Sequence, residues 1–463
     1  MTEIDVSALT PDFLARYDRP GPRYTSYPTA PQFSDAFDEV SYRERLASAA
    51  ERKDEPLSLY THVPFCEHRC TYCGCSVVIS PRHGPEEAYL DAVERELELL
   101  AEALDGRRSL SQLHWGGGTP TYLSPDQCAR LFHAITDRFP LADGAEVAIE
   151  IDPCVTSMEH LERLRGLGFN RLSMGLQDLN PEVQGAVHRV QPLELTREHV
   201  EKARELGFGS VNVDLIYGLP HQNEAEFRDT VKTVISELAP DRVACFSYAH
   251  VPWIKPHQKA LDESALPHGW EKFQIFVSAV QEFLAAGYRF VGFDHFARPG
   301  DELAIAMDAG RVHRNFMGYT VMPASDQIGI GVTSIGDLAG SYAANEKNLA
   351  RYQRTVAEGR LPVVRGLRRT EEDELRGAVI HRIICTLSLD YAWVRERFGV
   401  DPRTHFAGAL AELEPLAADG LVDLSDAQLR VTDLGRFFLR NICMPFDEYL
   451  KRPSDRPVYS RTV

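Results

Sequence analysis

The chain has 463 residues, and 68 Asp and Glu outweigh 50 Lys and Arg for a formal net charge of −18. Such an excess of negative charge argues against broad nucleic-acid or anionic-membrane binding, and the chain lacks the run of about 18 apolar residues that a membrane helix needs. At 44% hydrophobic residues it is expected to bury one large core plus a smaller module, and its acidic start, lacking an apolar signal core, points to a cytoplasmic protein.

Residues 1–40 read as an N-terminal arm. The proline- and hydroxyl-rich stretch GPRYTSYPTAPQF (21–33) favours an extended chain. From residue 41 to 360, β-rich runs alternate with helical patterns. The runs are LSLYTHV (57–63), QLHWGG (112–117), EVAIEID (146–152), RLSMGLQ (171–177), SVNVDLIYGL (210–219) and RVACFSY (242–248). Between the first two, Leu90, Val93, Leu97, Leu100 and Leu104 recur every three or four residues, as an amphipathic helix requires. Helical stretches also follow later strands, at 156–167, 194–206 and 269–286. This alternation predicts an α/β fold, a parallel sheet with outer helices. Six units suit an open, partial (β/α)6 barrel better than a closed one. RFVGFDHFA (289–297) and QIGIGVTSIG (327–336) read as further strands closing one side. Residues 361–463 turn mostly helical, and 416–442 run helix, short hairpin, helix, the order of a winged-helix-like module.

The unusual residues gather at the C-terminal ends of the predicted strands, where barrel sites form. The sequence CEHRCTYCGC (Cys66–Cys75) follows the first strand and Gly116-Gly117-Gly118-Thr119-Pro120 the second. Glu150 and Asp152 end the third, Gln177 ends the fourth, Asp214 lies in the fifth, and Tyr248-Ala249-His250 follow the sixth. Thiolates at C-x3-C-x2-C spacing can wrap three irons of one cubane and leave the fourth open to a small molecule. A structural zinc site is the alternative, but its ligands normally form two separated knuckles. Cys128, Cys154, Cys245, Cys385 and Cys443 lack pairing spacing and read as buried thiols in a reducing compartment.

Other side chains have both plain and functional readings. Glycines after the second strand allow close backbone approach to a ligand, although a tight turn also needs them. Glu150 could accept hydrogen bonds from ribose hydroxyls or be a solvated strand end. His62 and Tyr60 share a strand face, and Tyr72 within the cysteine loop could stack on an adenine. Arg23, Arg298 and Arg314 are candidates to pair with substrate carboxylates, against the commoner fate of surface ion pairing.

These segments together resemble a family. GPRYTSYPTA, LYTHVPFCEHRCTYCGC, LHWGGGTPTYLS, IEIDP, NRLSMGLQD, NVDLIYGLP, YAHVP, DHFARPGDELA, HRNFMGYT and NICMPFDEYL stand in the order and spacing of the oxygen-independent coproporphyrinogen III oxidases (coproporphyrinogen dehydrogenases) of the radical S-adenosylmethionine superfamily. The resemblance spans residues 20 to 450. It implies a partial barrel with an N-terminal arm and a C-terminal helical domain. It implies one 4Fe–4S cluster on Cys66, Cys70 and Cys73, with Cys75 nearby but not a ligand, and two S-adenosylmethionine molecules. By motif position, Tyr60, Gly117, Glu150 and Ile335 fall at the cluster-bound molecule. Tyr72, Gly118, Thr119, Gln177, Arg189, Asp214 and Ala249 fall at the second.

The implied reaction converts two propionates of coproporphyrinogen III to vinyl groups by a 5′-deoxyadenosyl radical, giving protoporphyrinogen IX and carbon dioxide. Its electron donor and acceptor are unidentified. Because the substrate carries four carboxylates, Arg23, Arg298 and Arg314 are expected to line its cavity against the acidic field of the chain. Pro445 replaces a cysteine expected in many relatives, away from the cluster. A monomer is expected. The alternatives are a haem-binding chaperone of the same superfamily and a non-catalytic iron–sulfur sensor. An aromatic residue in place of Cys75 and the absence of the PRYTSYP arm would mark the chaperone.

Overall fold

The computed structural model describes residues 3–322, 324, 326–452 and 459–462. Six strands form the parallel part of the main sheet: β1 (Leu57–Val63), β2 (Leu110–Gly117), β3 (Leu141–Ile151), β4 (Arg171–Gln177), β5 (Ser210–Tyr217) and β6 (Arg242–Ser247). The sheet continues with β7 (Arg289–Gly292), β8 (His295–Ala297), β9 (Asp326–Ile330), β10 (Ile335–Leu338), β11 (Ser341–Asn345) and β12 (Val363–Arg368). Its spatial order is β12-β11-β10-β9-β1-β2-β3-β4-β5-β6-β8-β7. β9 runs parallel to β1, while β8 runs antiparallel to β6 and β10 antiparallel to β9. The parallel strands form an open β/α barrel with antiparallel strands on both flanks.

Local sequence accounts for the outer helices. Helix Pro125–Thr136 starts with Pro at its first position and a reciprocal Ser124–Gln127 capping box. Helix Pro85–Ala103 buries Leu90, Val93, Leu97 and Leu100 against the sheet, each contributing roughly 1.5–3 kcal/mol. The barrel interior is polar. Gln112 accepts from Ser58 and donates to Glu146 at 2.8 Å, and Arg171 pairs with Glu146 at 2.8 Å. The sheet therefore surrounds space for a ligand instead of a packed apolar core.

Four expectations change in detail. The arm is not wholly extended: Pro11–Tyr17 is a helix capped by Thr10, and Phe13 and Tyr17 pack on the Phe438 ring. Residues 289–297 are the hairpin β7–β8, turned by Phe293 at φ 49°. Residues 327–336 likewise divide between β9 and β10. β12 belongs to the main sheet, so the sheet extends past residue 360 and the C-terminal unit begins at Thr370, which caps helix Glu371–Thr386.

That unit has helix Ala407–Ala418, the hairpin Val422–Leu424 with Gln428–Val431, and a third strand Ser388–Asp390, as a winged-helix order requires. Pro445 is buried in the short turn Met444–Phe446. Among the described residues no helix is long and apolar enough to cross a membrane.

Candidate active site

The loop after β1 carries Cys66, Cys70 and Cys73 to the wall of a cavity of about 470 Å³ at the C-terminal ends of the parallel strands. The GGGTP turn after β2 packs against it. Gly118 donates to the Val63 carbonyl and Thr119 to the Phe65 carbonyl, both at 2.8 Å. A Cβ on Gly118 would lie 2.7 Å from the Pro64 and Phe65 backbone, so only glycine fits. Gly117, at φ 114°, lies under the His62 ring. The amides of Gly117, Gly118 and Thr119 are thus committed to the protein.

A strap after β6 holds the cysteine loop from the other side. Lys255 Nζ donates to the Cys75 carbonyl at 3.1 Å, and His257 Nε2 lies 2.8 Å from the Cys73 carbonyl. Gln258 bridges the carbonyls of Tyr72 and Ala249. Tyr72 packs with Val183, Val187 and Tyr248. Burial pushes the Cys66 thiol up to about 11, whereas the hydrogen bond with Cys75 holds Cys73 below the usual thiol value.

Acidic and basic groups form the inner wall. Burial alone would raise Glu150, but His114 Nε2 at 3.2 Å and the Gly117 N–H at 3.4 Å hold its carboxyl below the usual value. Its side chain is 45% exposed, and that exposure is to the cavity it lines. Burial and the nearby Glu150 charge push Asp214 up to about 7, opposed by hydrogen bonds from Asn212 and Ser173. Arg189 pairs with Asp152 at 2.8 Å, donates to the Gly175 carbonyl at 2.9 Å and lies 3.9 Å from Cys70 Sγ. Gln177 sits at φ 72°, a left-handed conformation that is rare for its residue type.

Of the residues assigned above to the nucleotide molecules, all but Tyr60 and Ile335 line this cavity. Tyr60 lies behind Glu150: its hydroxyl is 3.1 Å from His62 Nδ1 and its ring stacks on His114. Ile335 lies against Gly329, which pairs with Tyr60. Arg23 lines the cavity, and Arg314 lines a smaller cavity beside it. Arg298 does not: β8 runs back along β6, so Arg298 emerges exposed at the opposite end of the barrel, bonded to the Asp241 carbonyl. Cys154 is exposed, contrary to the buried-thiol reading, while Cys128, Cys245, Cys385 and Cys443 are buried. His114, Lys255, His257 and Gln258 were not anticipated. Strand alternation is the signal that could have found His114, which shares a face with Gln112 and Gly116; the strap has no sequence signature.

The donor set fits an iron–sulfur cluster. Three thiols face one cavity, and Gln177 Oε1, buried and without a hydrogen-bond partner among the described residues, lines the same space. Among the described residues no three His, Cys, Asp or Glu side chains close around a single ion; a cubane holds its thiolates at separate corners.

The Radical SAM superfamily matches residues 60–234, and the HemN C-terminal domain matches residues 370–438. The chain is 42% identical over 456 residues to the oxygen-independent coproporphyrinogen III oxidase of Synechocystis sp., covering 98% of this chain and 97% of that protein. It is 43% identical over 450 residues to the Escherichia coli (strain K12) protein of the same name, covering 97% of each. The solved structure of the radical SAM enzyme coproporphyrinogen III oxidase (HemN) from Escherichia coli superposes with a TM-score of 0.88 at 43% identity, covering 92% of this chain and 97% of that one. Full-length similarity, a shared fold and the cysteine-lined cavity together place this chain in the oxygen-independent coproporphyrinogen III oxidase family of the radical SAM superfamily.

Proposed function

We propose that this chain catalyses the anaerobic oxidative decarboxylation of two propionate side chains of coproporphyrinogen III to vinyl groups, giving protoporphyrinogen IX in haem biosynthesis. The observation that carries the reading is the convergence of Cys66, Cys70 and Cys73 with Glu150, Arg189 and Asp214 on one cavity, in a chain similar over its whole length to oxidases of that name.

Cys66, Cys70 and Cys73 would hold a 4Fe–4S cluster, with Cys75 left out of its ligand set. When bound, the cluster and S-adenosylmethionine supply the one-electron chemistry that removes hydrogen from a substrate carbon. The protein's own residues bind and orient. Carbonyls of the GGGTP turn would accept from the methionine amino group, and Glu150, oriented by His114, would accept from ribose hydroxyls. Tyr60 and Ile335 support that pocket from behind. Tyr72, Gly118, Thr119, Gln177, Arg189, Asp214 and Ala249 would form the place of a second S-adenosylmethionine. Arg189, neutralised by Asp152, would offer a guanidinium to a carboxylate, and the strap fixes the cysteine loop through Lys255, His257 and Gln258. Each vinyl group formed releases carbon dioxide and one electron beyond the hydrogen removed, so a reductant and an acceptor are both needed; neither is identified. The nine free cysteines are in keeping with a reducing, cytoplasmic setting, and the chain is taken to act as a monomer.

The test is an anaerobic incubation of cluster-reconstituted protein with coproporphyrinogen III, S-adenosylmethionine, a reductant and an electron acceptor, the porphyrins then being oxidised and read by mass. Loss of two carboxyl groups per molecule supports the reading. An unchanged tetracarboxylate together with stoichiometric haem binding would favour a haem chaperone instead.

A further inference from the structure

Beside the main cavity lies a second one of about 50 Å³, between β5, β6 and the C-terminal segment. Arg23 and the Ser247 backbone border both spaces, so the two adjoin. The small cavity is also lined by Asp294, Arg314, Arg436 and Arg440. Four guanidinium groups, brought from the arm, the hairpin His313–Asn315/Gly318–Thr320 and the C-terminal segment, thus face one carboxylate.

Burial would raise Asp294, but His295, Arg314 and Arg23 hold its carboxyl below the usual value, so its single charge is shared among several cations. Asp294 is bonded to His295 Nδ1 at 2.6 Å. Arg440 is spent on the backbone carbonyls of Gly21, Pro22, Ser460 and Arg461. Arg436 donates through Nη1 to the Phe290 carbonyl and pairs through Nε with Asp433 at 3.6 Å. Arg314 is held between the rings of Phe293 and Tyr319, each 4.9 Å from its guanidinium carbon. Its Nε and Nη1 are buried and have no hydrogen-bond partner among the described residues. Arg23 donates to the Ser247 carbonyl and forms no ion pair among the described residues. Nearby, Lys272 is brought down to about 7 by burial, with Arg23 and Arg440 adding to the effect.

Arg314 and Arg23, half-buried and without an ion pair among the described residues, are cations whose desolvation is costly unless an anion meets them. The space is small, enough for a few water molecules, so the cavity suits one carboxylate and excludes a ring system. Planar guanidinium groups match a carboxylate bidentately.

We propose that this cavity holds one of the substrate's non-reacting carboxylates, with Arg314 and Arg23 as its direct partners and Arg436 as the closing charge from the C-terminal segment. The proposal rests on the functional reading above. A carboxylate clamped by guanidinium groups is stabilised as an anion, which opposes its conversion to neutral carbon dioxide. The pocket therefore anchors a carboxylate that stays and leaves the reacting propionates to the main cavity. A surplus of arginines in a chain of net charge −18 is then a local field built for one end of a polyanion.

The test is fluorescence titration of the cluster-loaded enzyme with coproporphyrin III, the oxidised tetracarboxylate, and with its tetramethyl ester, for wild type, Arg314→Gln, Arg314→Lys and Arg23→Gln, alongside steady-state kinetics. The proposal expects Arg314→Gln to weaken tetracarboxylate binding by about tenfold or more and to raise KM more than it lowers kcat. Ester binding should not change between wild type and variant, and Arg314→Lys should recover part of the loss. Equal tetracarboxylate affinity in wild type and Arg314→Gln would overturn it, as would an equal loss for the ester. If Arg314→Gln does not fold, Arg23→Gln decides by the same criteria. A wild type that binds no coproporphyrin III and decarboxylates nothing overturns the functional reading too, whereas an active wild type with unaffected variants overturns this proposal alone.

Discussion

Burial would raise the Glu150 carboxyl, but the bonds from His114 and the Gly117 N–H, with His62 nearby, hold it below its usual value. Glu150→Gln removes that charge with little change of shape. It should weaken S-adenosylmethionine binding about tenfold, a loss of about 1.4 kcal/mol, while iron content per chain stays at the wild-type level; calorimetry and iron analysis read the two separately. Asp214 adds a pH dependence. With its carboxyl pushed up to about 7, it is mostly neutral at pH 6 and mostly anionic at pH 8. Affinity for the sulfonium cation should therefore rise from pH 6 to pH 8 in wild type and stay flat in Asp214→Asn. Cys75→Ser should retain full iron, and Cys70→Ser should lose it. Which residues could be read in advance follows from what their chemistry demands. The cysteine triad and the strand-end acids announce themselves by type and spacing. His114, Lys255 and His257 act through contacts with chain segments far apart in sequence, and no local pattern records which partner each finds. Arg298 was misplaced because the β7–β8 hairpin reverses the chain, so the end of β8 lies beside the start of β6.

At the scale of elements, helix Pro85–Ala103 is joined to the flank of the sheet through one buried acid. Glu96 accepts from Tyr352 and the Gly331 N–H at 2.6 and 2.8 Å, and from Asn345 at 2.6 Å. Burial nevertheless raises it to about 7. The folded chain therefore holds this proton more tightly than the unfolded one. The resulting stabilisation is full below the unfolded carboxyl value and is lost as pH rises through about 7. Thermal unfolding should show wild type losing stability between pH 5 and pH 8, and Glu96→Gln should lose less over the same range. The six parallel strands were legible because each is a short β-rich run between a helical pattern and a turn. The edges were not: β12 and the split of 327–336 depend on which neighbour each strand finds, and β12 pairs with β11 across the intervening helix Leu349–Ala357.

Across the whole molecule, the two ends of the chain are tied together over the barrel mouth. Arg440 donates to the carbonyls of Gly21, Pro22, Ser460 and Arg461, and Asn441 Nδ2 donates to the Tyr17 carbonyl at 2.7 Å. Burial lowers Arg440 to about 9, so its charge is costly and its worth lies in the carbonyls it satisfies. Arg440→Met should destabilise the fold by about 3 kcal/mol, because several buried acceptors lose their donor; denaturant unfolding under anaerobic conditions measures it. The arm and the C-terminal unit thus close a barrel whose polar interior and cysteine-lined rim are held for one ligand set. The central claim is that this single cavity brings a substrate propionate to the radical chemistry at the cysteine loop. It is tested most directly by an anaerobic turnover with coproporphyrinogen III deuterated at the propionate β-carbons. Deuterium recovered in 5′-deoxyadenosine, together with vinyl product, is the result predicted. Vinyl product formed with only protium in 5′-deoxyadenosine, or no decarboxylation at all, would contradict it.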